Sequence, residues 1–81
     1  MPRTFSHDVV IRSRSTTDAP EFIVVCGKTS RLLGGPFSAM TDALACAEAL
    51  VKGAPRRILY EAYDERGRAI GDRLVLRAVG A

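Results

Sequence analysis

The sequence predicts an α+β fold of two layers, in which one helix packs on one face of a four-stranded, mainly antiparallel sheet. Residues Ser38 to Lys52 carry apolar side chains at the helical spacing i, i+3, i+4, i+7. The segments on either side are short, rich in β-branched residues and separated by turn-forming residues, which is typical of strands. Because one helix covers only one face of a sheet, we expect the other face to be open.

The predicted helix has clear signals at both ends. Its apolar side carries Met40, Ala43, Leu44, Ala47, Leu50 and Val51. Ser38 or Thr41 is expected to cap the first turn, because a hydroxyl there can accept a hydrogen bond from a backbone N–H that lacks a partner. Gly53 and Pro55 are expected to end the helix, since glycine tolerates the left-handed cap and proline cannot continue a helix.

Two strands and a short third segment precede the helix. Phe5–Arg12 and Glu21–Lys28 are predicted strands, and the second is nearly continuous in apolar residues, as in a strand buried on both faces. Arg31–Leu33 is a candidate short returning strand that Gly34–Pro36 is expected to break. Residues 1–4 are expected to be disordered and residues 14–20 to form a flexible loop.

A hairpin is predicted after the helix. Arg57–Tyr63 and Arg68–Ala78 are its strands, joined by the turn Asp64–Gly67, and Gly71 is a candidate bulge. Alternation along the first strand places either Leu59 and Tyr63 or their neighbours on the open face, where we expect them to be half exposed. The expected core consists of Val9, Ile11, Val24, Cys26, Leu44, Ala47, Leu50, Val51, Ile58, Tyr60 and Leu76.

Length and composition indicate one small globular domain over residues 1–81. Apolar residues make up 47% of the chain, and twelve basic against nine acidic residues give a net charge of +3, which raises the question of polyanion binding without answering it. Two cysteines, Cys26 and Cys46, are too few for a disulfide framework. No stretch has the apolar length of a signal peptide or of a membrane helix, so we expect a cytoplasmic protein with no membrane partner.

The candidate motifs for catalysis and for metal or cofactor binding are each incomplete or have the wrong spacing. The row GKTS at residues 27–30 ends like a phosphate-binding loop, but Phe22 stands where that loop needs glycine. Ser6, His7 and Asp8 are consecutive, and alternation along a strand prevents His7 from bonding to both neighbours. One histidine and two separated cysteines do not assemble a zinc site. We therefore expect no enzymatic activity, no cofactor and no metal.

Arginines and tyrosines along the predicted hairpin are the best candidates for contact with a partner. Sheet proteins that bind nucleic acid combine cations with aromatic platforms on an open face. The candidate contact residues are Arg57, Tyr60, Tyr63, Arg66, Arg68 and Arg73. Acidic residues such as Glu61 and Asp72 lie among them, which also fits a solvated face of cross-strand ion pairs.

The row FIVVCGKTSRLLGGPFSAMTDALACAEALVKG, followed by LYEAYDERGRAIG, resembles a class of short bacterial proteins of unknown function with a β-β-α-β-β layout. The resemblance covers Phe22 to Gly71 and rests on the pattern of strand, phenylalanine, Ser/Thr cap, alanine-rich helix and the turn Asp64–Gly67. It implies no functional residues. Related β-β-β-α modules at the front of phage-type integrases bind DNA through their sheet.

The sequence thus favours a non-catalytic module that acts through protein contacts or self-association. An exposed edge strand is one docking surface, because its unpaired backbone groups can accept another strand. The alternative is nucleic-acid binding through the arginines and tyrosines of the open face, which predicts an affinity that falls steeply with salt.

Overall fold

The computed structural model describes residues 8–15, 19–52 and 57–78. These residues form the strands β1 (Val9–Arg14), β2 (Glu21–Cys26), β3 (Leu32–Phe37), β4 (Arg57–Tyr63) and β5 (Ala69–Ala78), with one helix, α1 (Met40–Val51), between β3 and β4. The α+β class with a single helix is confirmed. The predicted disorder of residues 1–4 and the surroundings of His7 lie outside the described residues, as do Gly53 and Pro55. Of the predicted loop 14–20, Arg14 is the last residue of β1.

The strands form one sheet in the order β3-β2-β1-β4-β5. The central strand β1 pairs antiparallel with β2 and parallel with β4, and the outer pairs are both antiparallel. The sheet is therefore mixed and five-stranded, and the predicted four-stranded, mainly antiparallel sheet is wrong in these details. The parallel pair is possible because β4 follows a long crossover through α1, which returns the chain in the direction of β1.

The fifth strand arises where Gly34, Gly35 and Pro36 were expected to break the chain. β3 continues through them with two register shifts against β2 and a cis peptide bond between Gly35 and Pro36. An edge strand tolerates proline because only one of its sides carries ladder hydrogen bonds. Gly34 also permits close packing on the helix, since a Cβ there would lie 2.6 Å from Cys46 Sγ.

The helix packs on β1 to β4 and, within the described residues, does not reach β5. Ala43, Ala47 and Val51 are its buried residues, so small side chains allow the helix to lie close to the sheet. Ala39 is the N-cap and no side chain hydrogen-bonds there, so the capping predicted for Ser38 or Thr41 is wrong. We call the sheet surface under α1 the helix face and the opposite surface the distal face.

The core has two parts, one on each face of the sheet. The helix-face core joins Val9, Ile11, Phe22, Val24, Ala43, Ala47, Val51 and Ile58, with Leu44, Leu50 and Tyr60 packed against it. Most of the predicted core is therefore confirmed, but Cys26 is only half-buried and Leu76 is exposed, because β5 lies beyond the reach of α1. The second part, on the distal face, consists of Val10, Val25 and Leu59, with Ile23 packed against them.

The burial of Leu59 corrects the expectation that it is half exposed. Its side chain is 1% exposed, because β1 and β5 flank it with Val10 and Val75 as its direct cross-strand neighbours. The hairpin turn is as predicted, with Gly67 at a positive φ of 82° and its N–H donating to the Asp64 carbonyl at 3.0 Å. The bulge predicted at Gly71 is also confirmed by the shift in the β4–β5 register.

Candidate interaction surface

The distal face is built in three rows that cross the sheet, because residues directly opposite one another on paired strands share a face. The strand register places them in order across β2, β1, β4 and β5. The first row is the apolar set Val25, Val10, Leu59 and Val75. The second row is Ile23, Arg12 and Glu61, with Arg73 reaching Glu61 from β5. The third row is Glu21, Arg14, Tyr63 and Ala69. The first row is therefore apolar, and the charged residues of these rows lie in the second and third.

Glu61 is the centre of the polar part of this face. Arg12 Nε and Tyr63 Oη both donate to its Oε1, at 3.1 and 2.8 Å, while Arg73 Nε donates to its Oε2 at 2.6 Å. The Glu61 side chain is 11% exposed, so most of its surface is in contact with these partners. One carboxylate thus fixes two guanidinium groups and a phenol.

Arg12 is held from more than one side. Besides its bond to Glu61, it donates from a terminal nitrogen to Ser30 Oγ at 3.1 Å. Its guanidinium carbon lies 5.7 Å from the centre of the Tyr63 ring, which is within the range of a cation–π contact. These contacts restrict the rotamers that Arg12 can adopt.

The ionisation of Glu61 follows from its partners. Burial raises the pKa of this carboxyl, but the hydrogen bonds from Tyr63, Arg73 and Arg12 together outweigh burial and the net pKa is lowered. The hydrogen bond to Glu61 in turn raises the pKa of the Tyr63 phenol. At neutral pH Glu61 is charged and Tyr63 is protonated, so the cluster has the character of a structural ion-pair network and lacks a group poised for proton transfer.

A second ion pair lies at the other end of the distal face. Arg57 donates to Asp8 through Nε at 3.2 Å and through a terminal nitrogen at 2.6 Å, which is a bidentate arrangement. Its backbone N–H also donates to Asp8 at 3.3 Å. The side-chain hydrogen bond from Arg57 is the main cause of the lowered pKa of Asp8.

The structure does not bring the six sequence-predicted contact residues together. Arg57, Tyr63 and Arg73 lie on the distal face, each engaged with an acidic side chain. Tyr60 packs against the helix-face core. Arg66 and Arg68 are exposed in the hairpin turn, where their backbone N–H groups donate to Asp64 Oδ1. The set is therefore divided between two faces and a turn.

The cross-strand ion pairs expected for Glu61 are confirmed, because it pairs with Arg12 and Arg73. Arg12 was not among the candidate contact residues predicted from the sequence, and the hydrogen bond between Glu61 and Tyr63 was not predicted. Alternation along β4 already places Glu61 and Tyr63 on one face. The parallel pairing of β1 with β4, which sets Arg12 directly beside Glu61, has no local signal in the sequence.

The edge strand β5 carries a second candidate surface, which we call the β5 apolar edge. It consists of Ile70, Leu74, Val75 and Leu76, with exposures of 53, 55, 55 and 41%. Leu74 lies opposite Tyr60 and Ile70 opposite Ala62, so both lie on the helix face, while Val75 lies opposite Leu59 on the distal face. Apolar side chains are therefore exposed on both faces of the edge strand.

A cavity of about 230 Å³ opens between the second and third rows of the distal face, and its walls are more apolar than polar. It is lined by Arg12, Arg14, Glu21, Ile23, Tyr63 and Gly67.

Within the described part of the chain, no group of three His, Cys, Asp or Glu residues is placed to hold a metal ion. No helix among the described residues is long and apolar enough to cross a membrane. Comparison of the chain with protein-family models, curated proteins and solved structures gave no match.

Proposed function

We propose that this chain is a non-catalytic, self-associating interaction module that pairs with a second copy of itself through β5. The observation that carries the proposal is the β5 apolar edge, where four large aliphatic side chains are exposed on a ten-residue strand. The free side of such a strand also presents backbone N–H and C=O groups that another strand can pair with. Pairing between two copies satisfies these groups and removes the apolar side chains from water.

The contrast between the two edges of the sheet favours a closed dimer. β3, the other edge, contains Gly-Gly-Pro and two register shifts against β2, all of which hinder the addition of a further strand. Contact between β5 of one copy and β3 of the next is head-to-tail, so it either closes into a ring of several copies or extends into an open filament. Contact between β5 and the same strand of its partner is two-fold symmetric and closes after two copies.

The size of the surface predicts a weak dimer. The exposed parts of Ile70, Leu74, Val75 and Leu76 amount to roughly 300–400 Å² per protomer, about half of what each partner contributes to a standard interface. Interfaces in this range are those of transient complexes. We therefore expect association that depends on concentration across the micromolar range.

Sedimentation velocity over a series of protein concentrations tests the proposal. Leu74→Lys places a charge on the β5 apolar edge, and Leu32→Lys is the matched control on β3, because the two leucines are 55 and 56% exposed. The wild type and Leu32→Lys are expected to shift from monomer to dimer with rising concentration, and Leu74→Lys to stay monomeric. Circular dichroism of both variants is the check that each of them is folded. A monomeric wild type, or equal behaviour of the two variants, would refute self-association through β5.

Nucleic-acid binding, the other function considered from the sequence, has less support. Arg57 and Arg73 are each paired with a carboxylate, and Tyr60 lies on the face opposite to Tyr63. An amide NMR titration with single- and double-stranded oligonucleotides at low and near-physiological salt tests it. Shifts confined to the distal face that persist at the higher salt would support this function over self-association. A cytoplasmic location belongs to the proposal as well.

A further inference from the structure

We propose that the cavity of the distal face binds a small zwitterion with an apolar side chain, of the chemical class of a free apolar or aromatic amino acid. The cavity lies at the ends of β1, β2 and β4 that are remote from the apolar row, and it is separate from the β5 apolar edge. This inference is therefore independent of the proposed dimer. The inference rests on the charged and apolar residues that line this one small cavity.

Two residues of opposite charge lie next to each other in the lining of the cavity. Arg14 and Glu21 are direct cross-strand neighbours in the β1–β2 pair, and both line the cavity. Among the described residues, neither side chain makes a hydrogen bond or an ion pair. A ligand with adjacent carboxylate and ammonium groups satisfies both, the carboxylate at the Arg14 guanidinium and the ammonium at Glu21.

The rest of the lining suits an apolar body. Ile23 and Tyr63 line the cavity together with the charged pair. Tyr63 is fixed by its hydrogen bond to Glu61 and by the Arg12 guanidinium beside its ring. Because these groups are held before a ligand arrives, binding does not need to order them.

The volume limits the size of the ligand. A cavity of about 230 Å³ is smaller than the sites that hold drug-sized molecules, which begin at roughly 300 Å³. A volume of this size has room for a single amino acid.

Three probes with the same phenyl ring test the contribution of each charged group of the ligand. Phenylalanine carries both groups, 3-phenylpropionate only the carboxylate, and phenethylamine only the ammonium group. The binding of each is measured by amide NMR titration of the full chain, at a protein concentration where it is monomeric. Phenylalanine is expected to shift the amides around Ile23, Tyr63 and Gly67, and to bind about tenfold or more tightly than either singly charged probe.

Variants assign each charge to its residue. Arg14→Gln is expected to reduce phenylalanine affinity to that of phenethylamine, and Glu21→Gln to that of 3-phenylpropionate. Arg31→Gln, an exposed arginine outside the cavity lining, is the control and is expected to bind like the wild type. The inference is overturned if phenylalanine causes no shifts, if shifts lie elsewhere, or if all three probes bind equally. None of these results bears on whether β5 mediates dimer formation.

Discussion

Replacing Leu59 by alanine tests the second, distal part of the core. Leu59 is 1% exposed on the distal face, opposite α1, between Val10 and Val75. The change removes three buried carbons, at about 0.8 kcal/mol each, and leaves a cavity that adds to the loss. We therefore expect the free energy of unfolding to fall by about 3–4 kcal/mol. A domain of this length has roughly 4–12 kcal/mol in total, so the variant is close to unfolding.

Leu32→Ala is the matched control for this experiment. Leu32 is 56% exposed on β3, so truncation removes less buried surface and leaves no closed cavity, and we expect a loss below about 1 kcal/mol. Urea unfolding followed by circular dichroism measures both variants, at one protein concentration because dimer formation also affects stability. If Leu59→Ala and Leu32→Ala lose the same free energy, the distal face has no core and the reasoning is wrong.

Two further predictions concern the polar centre and the edge of the sheet. Glu61→Gln is expected to lower the free energy of unfolding by about 1–2 kcal/mol at neutral pH, a modest value because Arg73 is half exposed to solvent. Folding lowers the pKa of Glu61, so the stabilisation that Glu61 gives is complete above the ordinary glutamate pKa of about 4.3 and is lost as the pH falls through the pKa of the folded state. We therefore expect the difference in unfolding free energy between the wild type and Glu61→Gln to shrink in acid. Urea titrations that give the same difference at every pH would contradict this. Gly34→Ala is expected to cost about 1–3 kcal/mol, because the new Cβ would lie 2.6 Å from Cys46 Sγ, and Cys46→Ala should recover part of the loss in a double-mutant cycle. Additive effects of the two changes would show that the contact is unimportant.

Local sequence patterns were sufficient for the elements whose signals lie within a few residues. The predicted Arg57–Tyr63 agrees with β4, and the predicted Ser38–Lys52 exceeds α1 by two residues at its start and one at its end. The turn Asp64–Gly67 was also correct, since aspartate and glycine favour it for reasons of backbone geometry. Each of these depends on periodicity or on the conformational preference of one or two residues.

The functional surfaces could be predicted only in part, for the same reason. Alternation along β4 correctly places Tyr60 and Tyr63 on opposite faces, so the face on which each residue of a strand lies can be predicted from the sequence. Which strands are neighbours in the sheet cannot be predicted in this way. The cavity needs Arg14 between Glu21 and Tyr63, and the ion-pair cluster needs Arg12 beside Glu61, and both depend on the pairing of β1 with β2 and β4.

The sequence by itself determined where the helix and most strands lie, which residues alternate along each strand, and that the fold is α+β. Only the tertiary structure decided that β3 continues through Gly34–Pro36, that β1 pairs parallel with β4, and that Leu59 is buried while Leu76 is exposed. Secondary structure is set by interactions among residues close in the chain. Strand order, by contrast, is set by pairing between segments up to 49 residues apart, as for Arg12 and Glu61. Local sequence patterns do not predict pairing over such a distance.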